Sequence, residues 1–496
     1  MRLTLLSRAS DLARLQAMQV ARALEARWPG LEVALLTRVA AGDRDTTTPL
    51  AALTDKGVFT ADLSDALASG EADAVVHSWK DLPLDDRPGS GIAATLERAD
   101  PRDVLLVRRD AVTRRPRELQ ILSSSPRRAW LLAQVLPELM PWTVDDVTFL
   151  PVRGNIATRL SKLMDGRSGS ADALVVAKAA LDRLLGFGAP FEDAARTARG
   201  LIDQCAWMVL PIREVPGAPA QGALAVEARR GTDAFDRLRA ISHEPTWHAV
   251  MKEREVLASY GGGCHEALGA TVLPREYGRV ISVRGRSSAG RVDRGWSLID
   301  AGALPPRTAE DNLWPRPQER HRASRRTLAA TPPDEATGLW VARAEALPDE
   351  WQVGPDRFVW GAGSTTWRRL AQRGVWVHGC SDGLGDTEPP AIDLLAGRRL
   401  SWCRLTHTVA AEGDPASLAT YAVDEALRDD LPARTHFFWT SGTLFRRAIA
   451  RWPEIRDRWH GSGPGRTWRA IHDTLGDTPR ARVWMDYDDW RKDVVE

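Results

Sequence analysis

The 496-residue chain is short of cysteine and of long apolar runs, and each shortage excludes a class of protein. Its four cysteines, Cys205, Cys264, Cys380 and Cys403, are widely spaced, and in a cytoplasmic protein they would be free thiols, not a disulfide framework. No apolar run approaches the ~18 residues that cross a bilayer, so we predict no membrane span. The N-terminus MRLTLLSRAS reaches a second charge too soon for the apolar core of a secretory signal, and we expect a cytoplasmic protein.

Lysine is also scarce, since only six of the 67 basic residues are lysine. The formal net charge is +1 and no polybasic run occurs, which argues against nucleic acid or an anionic membrane as the main partner. Local clusters of arginine remain, and their guanidinium groups suit a small polyanion.

The chain is long enough for three or four domains and changes character near residue 305. Before that point, helical patterns alternate with apolar strand-like runs such as LTLLS (3–7), EVALLT (32–37) and DAVVHSW (73–79). This alternation predicts two similar lobes of parallel α/β layers. Residues 305–336 are rich in Pro, Arg and small polar residues and lack apolar periodicity, which predicts an exposed linker.

One arginine cluster stands at a predicted helix start. In SSSPRRAW (123–130), Ser125 is placed to cap a helix that begins at Pro126. Arg127 and Arg128 then fall in the first turn, where cations oppose the helix dipole unless an anion binds at the helix end. An anion site is therefore the economical interpretation.

A second cluster, PVRGNIATRLSKL (151–163), places Arg153 on a glycine turn and Arg159 after it. Guanidinium forks pair with carboxylates, so this segment also suits an anion. The alternative for either cluster is a pair of solvated arginines in an arginine-rich chain.

Two of the rare lysines lie in predicted loops. VVHSWKDLPLDD (75–86) ends an apolar strand with Lys80 and Asp81, at the position where open α/β sheets bind ligands. Asp81 there would hold a substrate N–H donor and stabilise positive charge that develops on it; the alternative is a simple turn carboxylate. Lys56 in TDKGVFTADL (54–63) lies on a glycine turn before a helix.

A cysteine follows three glycines in YGGGCHEALGA (260–270). Consecutive glycines are costly to order and indicate a tight turn or the close approach of a bulky group, so Cys264 is predicted to be presented. A zinc site is the other interpretation of Cys264 beside His265. Neither CxxC nor another metal-ligand spacing lies nearby, and we predict no metal.

Eight motifs occur in the order found in the porphobilinogen deaminase (hydroxymethylbilane synthase) family, and residues 1–300 resemble that family nearly throughout. The motifs are SRASDLARLQ (7–16), DKGVFTADL (55–63), VVHSWKDLP (75–83), LERADPRDVLL (96–106), SSSPRR (123–128), VRGNIATRLSKL (152–163), APAQGALAVEAR (218–229) and GGGCHEALGA (261–270). One departure is Ala220, where the family usually has glycine.

The resemblance implies an α/β fold of two periplasmic-binding-protein-like lobes and a small α+β domain that carries Cys264. The implied boundaries are 1–100 with 198–225 for domain 1, 101–197 for domain 2 and 226–304 for domain 3.

It also implies a transferase of tetrapyrrole biosynthesis that condenses four porphobilinogen molecules, with release of ammonia, into a linear tetrapyrrole. Cys264 would carry a covalent dipyrromethane cofactor, and Asp81 and Lys80 would be catalytic. The implied cofactor contacts are Arg127, Arg128, Lys56 and Ser125. The implied substrate contacts are Arg8, Ser10, Arg153, Asn155 and Arg159.

Residues 337–496 hold more than half of the 20 tryptophans and are predicted to be a separate unit. Two segments, GAGSTTWRRLAQRG (361–374) and GSGPGRTWRAIHDTLG (461–476), share a glycine-rich turn followed by Thr-Trp-Arg. Such duplication predicts two small α/β lobes.

TSGTLFRRAI (440–449) with the later GPGRT resembles the second lobe of uroporphyrinogen-III synthase. The resemblance implies that Thr440, Ser441 and Thr467 contact product carboxylates. The alternative is a degenerate domain kept for packing or assembly.

Two other classes stay open for residues 1–300. A non-catalytic, two-lobed binding protein would share the layout but gives no reason for the glycine–cysteine loop. A deaminase that has lost its activity and serves as a scaffold is the second. We expect a monomer, with handover of the linear product to the C-terminal region as a further expectation.

Overall fold

The computed structural model describes residues 2–39, 61–85, 87–165, 171–262, 267–288, 290–319, 324–424 and 427–496. Lys56 and Cys264 lie outside the described residues. The chain forms two compact units. The first unit comprises residues 1–274, 282–295 and 392–398, and the second comprises residues 275–281, 296–391 and 399–496.

Ten strands form two five-stranded sheets in the first unit. They are β1 (Arg2–Arg8), β2 (Glu32–Arg38), β3 (Ala74–Ser78), β4 (Ser90–Ala94), β5 (Asp103–Arg108), β6 (Glu118–Leu122), β7 (Asp146–Leu150), β8 (Ala173–Ala177), β9 (Cys205–Val209) and β10 (Leu224–Arg229). Sheet 1 has the order β2-β1-β3-β10-β4, and sheet 2 has the order β7-β6-β8-β5-β9.

The two sheets share one plan. In sheet 1, β1 pairs parallel with β2 and β3, whereas β10 pairs antiparallel with β3 and β4. In sheet 2, β6 pairs parallel with β7 and β8, whereas β5 pairs antiparallel with β8 and β9. The predicted α/β class is confirmed, but the prediction of purely parallel layers is wrong because each sheet contains one reversed strand.

Nine helices accompany these strands in the described part of the first 262 residues. They are α1 (Asp11–Arg27), α2 (Ala61–Ser69), α3 (Arg109–Arg114), α4 (Pro126–Leu139), α5 (Ile156–Met164), α6 (Lys178–Gly186), α7 (Glu192–Ile202), α8 (Asp233–Arg239) and α9 (Glu244–Ser259). Helix α1 shows how they pack: Val20 and Leu24 join Leu5, Val76 and Val226 from three strands in one buried apolar cluster. None of the described helices is long and apolar enough to cross a membrane.

A third sheet follows α9. Its strands are β11 (Ala267–Arg275), β12 (Gly278–Ser287) and β13 (Gly290–Ile299), in that order.

The second unit contains two further sheets. Their strands are β14 (Leu313–Trp314), β15 (Ser324–Thr327), β16 (Gly338–Val341), β17 (Phe358–Gly361), β18 (Gly379–Cys380), β19 (Trp402–His407), β20 (Ser417–Asp424), β21 (His436–Trp439), β22 (Trp459–Ser462) and β23 (Ala481–Val483). Sheet 4 has the order β15-β20-β19-β16-β17-β18, and sheet 5 has the order β14-β21-β22-β23.

Six helices are described after residue 300. They are α10 (Ser364–Gln372), α11 (Asp393–Ala396), α12 (Thr408–Ala411), α13 (Gly442–Arg451), α14 (Arg466–Leu475) and α15 (Tyr487–Val494). Each predicted Thr-Trp-Arg motif opens a helix after a strand and a glycine turn, in the order β17–α10 and β22–α14. Stacked Phe437 and Trp439 lie in the buried core of sheet 5, so the tryptophans of this region mainly fill the interior.

Three predicted assignments differ from the strand pairings of the structure. The exposed linker at 305–336 is wrong as a description of the whole segment, because β14 pairs with β21 and β15 pairs with β20. Leu313 is fully buried there. Strand β9, predicted to lie in domain 1, pairs with β5 in sheet 2, and β10 lies wholly in sheet 1 although 226 was predicted to begin domain 3. Short segments such as 313–314 carry too little periodicity to be recognised as strands.

Candidate functional site

The first half of the site lies at the carboxyl ends of β1 and β3. Because these strands are parallel neighbours, their ends meet at one edge of sheet 1. Arg8 ends β1, and Ser10 caps α1 by accepting a hydrogen bond from the Ala13 N–H at 3.4 Å. Lys80 and Asp81 stand in the single 3₁₀ turn that follows β3. Four of the predicted residues therefore share this edge.

The second half comes from the helices that follow β6 and β7, parallel neighbours in sheet 2. Ser125 caps α4 by accepting from the Arg128 N–H at 3.4 Å, and Pro126 is the first helical residue, as predicted. Asn155 caps α5 through its Oδ1, which accepts from the Thr158 N–H at 2.9 Å.

Arg159 is oriented by the same turn. Its Nε donates to the Gly154 carbonyl oxygen at 2.8 Å. Lys162 Nζ donates to the Arg153 carbonyl oxygen at 3.0 Å, which closes the turn from the other side. Both arginines are half-buried.

A buried carboxylate that sequence reasoning missed organises the α4 arginines. Asp103, at the start of β5, has no exposed surface and accepts from Arg128 Nη2 at 2.6 Å and Arg127 Nη2 at 2.8 Å. Burial alone would raise the pKa of Asp103, but the charges of Arg128 and Arg127 hold it well below its ordinary value. Asp103 lies in the motif DPRDVLL. A carboxylate at the start of an all-apolar run was the one feature of the sequence that could have indicated a buried acid here.

Arg127 and Arg128 are both buried, at 4% and 8% exposure. Arg127 also donates to the Pro216 carbonyl oxygen at 2.7 Å, and Arg128 donates to the Val175 carbonyl oxygen at 3.2 Å. These partners hold the two arginines in fixed orientations within the protein.

Gln221 links the two halves of the site. Its Oε1 accepts from Lys80 Nζ at 3.2 Å, and its Nε2 donates to Asp103 Oδ1 at 2.9 Å. Gln221 is 1% exposed, so these bonds are shielded from water. The residue lies in the APAQGA motif and connects the loop after β3 to the first strand of sheet 2.

The charges of the two halves converge on Arg159. Burial lowers its pKa first, the charges of Arg128, Arg153 and Arg8 lower it further, and only Asp81 acts in the opposite direction. Burial likewise lowers the pKa of Lys80 from 10.5 to about 8, with Asp81 opposing and Arg128 reinforcing the shift. The site therefore carries an excess of positive charge, which fits a ligand with several carboxylates.

The segment that carries the predicted cysteine starts beside this site. Helix α9 ends in a Schellman motif, in which the Gly261 N–H donates to the Ala258 carbonyl and the Gly262 N–H to the Leu257 carbonyl, both at 3.1 Å. Gly261 has φ +95, a left-handed conformation that glycine adopts without strain.

The approach of this loop to the Asp81 turn is close. A Cβ on Gly262 would lie 2.7 Å from Leu84 Cδ1, so glycine permits the contact. Arg254 of α9 donates to the Pro83 carbonyl oxygen at 2.6 Å and ties the helix to the same turn. The glycines therefore serve a tight turn at Gly261 and a close contact with Leu84 at Gly262, and the approach of a bulky group to this loop stays a prediction.

Strand β11 resumes on the other side of the undescribed residues 263–266. A Cβ on Gly269 would collide with the carbonyl oxygen of Pro216, the acceptor of Arg127. The Ala270 N–H donates to the Gly217 carbonyl at 3.0 Å. One end of the cysteine segment is thus held against the Asp81 turn, and the other against the carbonyl that accepts from Arg127.

The family model described as "Porphobilinogen deaminase, dipyromethane cofactor binding domain" matches residues 3–237. A porphobilinogen deaminase from Roseiflexus castenholzii (strain DSM 13941 / HLO8) is 36% identical over 318 residues, which cover 63% of this chain and 95% of the relative. The chain belongs to the porphobilinogen deaminase family. A second such relative, from Lachnospira eligens (strain ATCC 27750 / DSM 3376 / VPI C15-48 / C15-B4), is 34% identical over 292 residues, covering 58% of this chain and 90% of the relative.

Membership in the porphobilinogen deaminase family confirms the predicted resemblance, the transferase class and a dipyrromethane cofactor. Among solved structures, the periplasmic aliphatic sulphonate binding protein SsuA from Escherichia coli is 13% identical over 52% of this chain and 77% of that chain, with a TM-score of 0.24. That likeness is too weak to carry an argument about fold.

The departure from the family motif at Ala220 has a structural meaning. Ala220 has φ +66, a left-handed conformation that favours glycine. Its N–H donates to Glu253 Oε2 at 2.7 Å, and Glu253 also accepts from Arg98 at 2.6 Å and from the Val272 N–H at 2.6 Å. This fully buried carboxylate, also missed from the sequence, holds α9, β11 and the Gln221 turn together.

The three predicted contacts of the C-terminal region lie at or next to the starts of two helices. Ser441 caps α13 by accepting from the Leu444 N–H at 3.2 Å, Thr440 precedes it on the surface, and Thr467 lies in the first turn of α14. Within the described residues, no group of His, Cys, Asp and Glu side chains is placed to hold a metal ion.

Proposed function

We propose that this chain is a hydroxymethylbilane synthase, which condenses four porphobilinogen molecules into a linear tetrapyrrole with loss of ammonia at each step. The observation that carries the proposal is the hydrogen-bonded chain from Lys80, beside Asp81, through Gln221 and Asp103 to Arg128, which joins the edge of sheet 1 that carries Arg8 to the arginines of α4. Porphobilinogen bears an acetate and a propionate, so substrate and product both present carboxylates to these cations.

Arg8, Arg153 and Arg159 are the proposed substrate contacts. Arg159 is fixed at Nε by Gly154, and its terminal nitrogens provide a fork for a carboxylate. Ser10 and Asn155 use an oxygen to cap a helix, which leaves hydroxyl and amide N–H groups of the kind that donate to a carboxylate. Both helix ends add partial positive charge.

The proposed cofactor contacts are Arg127, Arg128, Ser125 and Lys56, with the thiol of Cys264 as the covalent anchor. Arg127 and Arg128 are both held by Asp103, and the charge of Arg128 acts on both Lys80 and Arg159. Dipyrromethane supplies, when bound, the pyrrole carbon to which the next unit is joined. The placement of Gly262 against the Asp81 turn and of Gly269 against the carbonyl that accepts from Arg127 supports Cys264 in this role.

Asp81 is the proposed catalytic residue. When the bond between the side-chain methylene carbon and nitrogen of porphobilinogen breaks, ammonia leaves with the electron pair and the pyrrole becomes cationic. An exposed carboxylate beside the pyrrole N–H stabilises that charge and holds the ring. Lys80, bonded to Gln221, sets the position of the Asp81 turn and adds a cation for the acidic side chains.

For the architecture we propose two periplasmic-binding-protein-like lobes built on sheets 1 and 2, and a third domain that carries Cys264. The strand pairings favour boundaries near residues 101 and 210 for the second lobe, instead of 101–197, and a first lobe that extends to the end of β10. Repeated elongation in one site requires these parts to move. A monomer is part of the same proposal.

The intact mass of purified protein tests the anchor directly. Wild type is expected to exceed its sequence mass by two linked pyrroles and to give the aldehyde colour of dipyrromethane, and Cys264→Ala is expected to lack both. Cys205→Ala is the matched control, since burial raises the pKa of that thiol to about 12 and makes it unreactive. An unmodified wild-type mass that persists after incubation with porphobilinogen would overturn the proposed mechanism.

For the second unit the described charges favour a structural role over a uroporphyrinogen-III synthase. Arg466, which opens α14, pairs with Asp386 at 2.9 Å and Asp414 at 3.0 Å, and Arg404 pairs with the same two carboxylates at 2.6 and 2.7 Å. Two guanidinium groups and two carboxylates cancel, so this cluster does not attract a polycarboxylate.

Chromatography of the cyclised product distinguishes the two roles. With porphobilinogen as the sole substrate, a structural second unit leaves no uroporphyrinogen III above the level in a sample that lacks any synthase. Formation of uroporphyrinogen III by the purified chain, abolished in Thr467→Val but kept in the exposed-surface control Thr331→Val, would establish the synthase instead.

A further inference from the structure

A short segment from the C-terminal half of the chain belongs to the first unit. Residues 392–398 pack there, although residues 391 and 399 belong to the second unit. The segment contains helix α11, and Ile392 and Leu395 are each 1% exposed. It enters at Ala391, whose φ of +52 is left-handed, a conformation that alanine keeps only where the surrounding structure fixes it.

One arginine of helix α7 binds this segment. Arg199 donates from Nη1 to the Leu395 carbonyl oxygen at 2.7 Å and from Nη2 to the Leu394 carbonyl oxygen. These acceptors lie in the last turn of α11, where carbonyl groups lack helical partners and a cation is favourable. Gly397 follows with φ +69, a left-handed conformation that favours glycine, and lies against the Arg199 guanidinium.

Helix α6 provides the second contact. A Cβ on Gly186 would lie 3.1 Å from Leu394 Cδ1, so the absence of a side chain at the end of α6 makes room for the leucine. Leu394 remains 42% exposed, which places it at the rim of the contact. The segment therefore touches both α6 and α7 beside the residues that join them.

The connection between α6 and α7 also meets the other lobe of the first unit. Phe187 and Phe191 pack edge to face with centroids 5.7 Å apart. The guanidinium carbons of Arg22 and Arg14, both on α1, lie 4.0 Å and 5.4 Å from the Phe187 and Phe191 ring centroids. Because α1 packs on sheet 1 and α6 follows a strand of sheet 2, these cation–π contacts join the two sheets' layers.

We propose that residues 392–398 act as a strap that holds α6, α7 and the intervening residues 187–191 in the arrangement that contacts α1. The strap binds helices α6 and α7 of the same chain. It provides a means by which residues 392–398 restrain the contact between the two lobes of the first unit. The proposal does not depend on the reaction that the site performs.

Hydrogen exchange of the full-length protein, read by mass spectrometry of peptides, tests the strap. Arg199→Ala is expected to raise exchange of the amides in both 392–398 and 187–191 by about tenfold or more, because hydrogen bonds from a charged donor are among the stronger ones. Arg196→Ala is the control on the same helix; its side chain is 77% exposed and pairs only with exposed Asp193 among the described contacts. That variant is expected to leave both segments unchanged.

A second variant tests the strap independently, in case Arg199→Ala impairs folding. Leu394→Asp changes a half-exposed side chain and is expected to raise exchange in the same two segments while the β5 and β8 amides stay protected. Faster exchange confined to 392–398 would show that the segment only rests on the helices, and unchanged exchange in both variants would show that it holds nothing. Either result overturns the strap.

Discussion

Arg128 donates to Asp103 through two nitrogens, from Nη2 to Oδ1 at 2.6 Å and from Nε to Oδ2 at 3.2 Å. The guanidinium group stands in the first turn of α4, where the helix dipole disfavours a cation. The buried carboxylate of Asp103, at the start of β5, offsets that cost and fixes the direction in which the arginine points. A buried carboxylate therefore sets the orientation of a positively charged group of the site.

Replacing Asp103 by Asn is expected to destabilise the protein by about 3–5 kcal/mol, because two buried guanidinium groups lose their counter-charge. The free energy of unfolding from urea denaturation of the full chain measures this. Asp110→Asn is the control: its carboxylate is 55% exposed and pairs with Arg108, so about 0.5 kcal/mol or less is expected. A loss below about 1 kcal/mol in Asp103→Asn would contradict the central role of this ion pair.

Asp81→Asn should act on turnover and leave stability nearly unchanged. The side chain is exposed, so its loss costs about 0.5 kcal/mol or less of folding free energy, whereas loss of a charge that stabilises a cationic transition state costs about 10²–10³-fold in kcat. Steady-state consumption of porphobilinogen measures kcat and KM. Asp85→Asn, in the same exposed loop, is the matched control, and equal loss in both variants would argue for a general effect on the loop.

The sequence predicted local features of the site better than the partners of its side chains. Ser125 and Pro126 open α4 as expected because capping depends on a few adjacent residues. The expectation that an external anion must balance Arg127 and Arg128 was incomplete, since Asp103 provides much of the balance from inside. That pairing joins residues 24 and 25 positions apart and depends on strand order.

Sequence periodicity does not predict the reversed strands, for a similar reason. Alternating strand and helix patterns favour parallel layers, and β5 and β10 have the same apolar composition whichever way they run. Likewise, Gln221 lay within a motif that indicated the family, but nothing in its neighbours shows that it bonds to Lys80, 141 positions away. Family membership pointed to the right motifs, and tertiary structure assigned their contacts.

The charge of Lys80 should make ligand binding sensitive to alkaline pH. Burial lowers its pKa from 10.5 to about 8, so in the ligand-free protein the ammonium group loses its proton as pH rises through 8. Affinity for porphobilinogen, measured as KM between pH 7 and 9 under conditions where wild type stays folded, is expected to weaken over this range. Lys80→Arg, which stays charged, should flatten that dependence, and an identical pH profile in wild type and variant would contradict it.

Titration of Lys80 also makes the free energy of unfolding depend on pH. Because the folded pKa of Lys80 lies below the unfolded value, the unfolded chain binds more protons between about pH 8 and 10.5. Protonated Lys80 therefore opposes folding below pH 8, and this opposition fades as pH rises. Lys80→Met is expected to be more stable than wild type at pH 7, with the difference shrinking toward pH 10 in urea denaturation.

His460 gives the second unit a dependence on acid pH. Its Nδ1 accepts from Trp439 Nε1 at 3.0 Å and its Nε2 lies 3.0 Å from the Ile455 carbonyl oxygen, so the ring fits its surroundings only in the neutral form that carries its proton on Nε2. The ring is 1% exposed, and burial lowers its pKa from 6.5 to about 4. An added proton on Nδ1 would break the bond from Trp439.

Stability of the second unit should therefore fall as pH drops from 6.5 to 4, because the unfolded chain takes up a proton that the folded His460 refuses. A shift of this size corresponds to a loss of up to about 3 kcal/mol. His460→Gln keeps a donor and an acceptor but does not titrate, so its unfolding, followed by tryptophan fluorescence, should depend less on pH over this range. His472→Gln, an exposed site bonded to Asp477, is the control and should keep the wild-type slope. Equal slopes in wild type and His460→Gln would show that the acid sensitivity arises elsewhere in the unit.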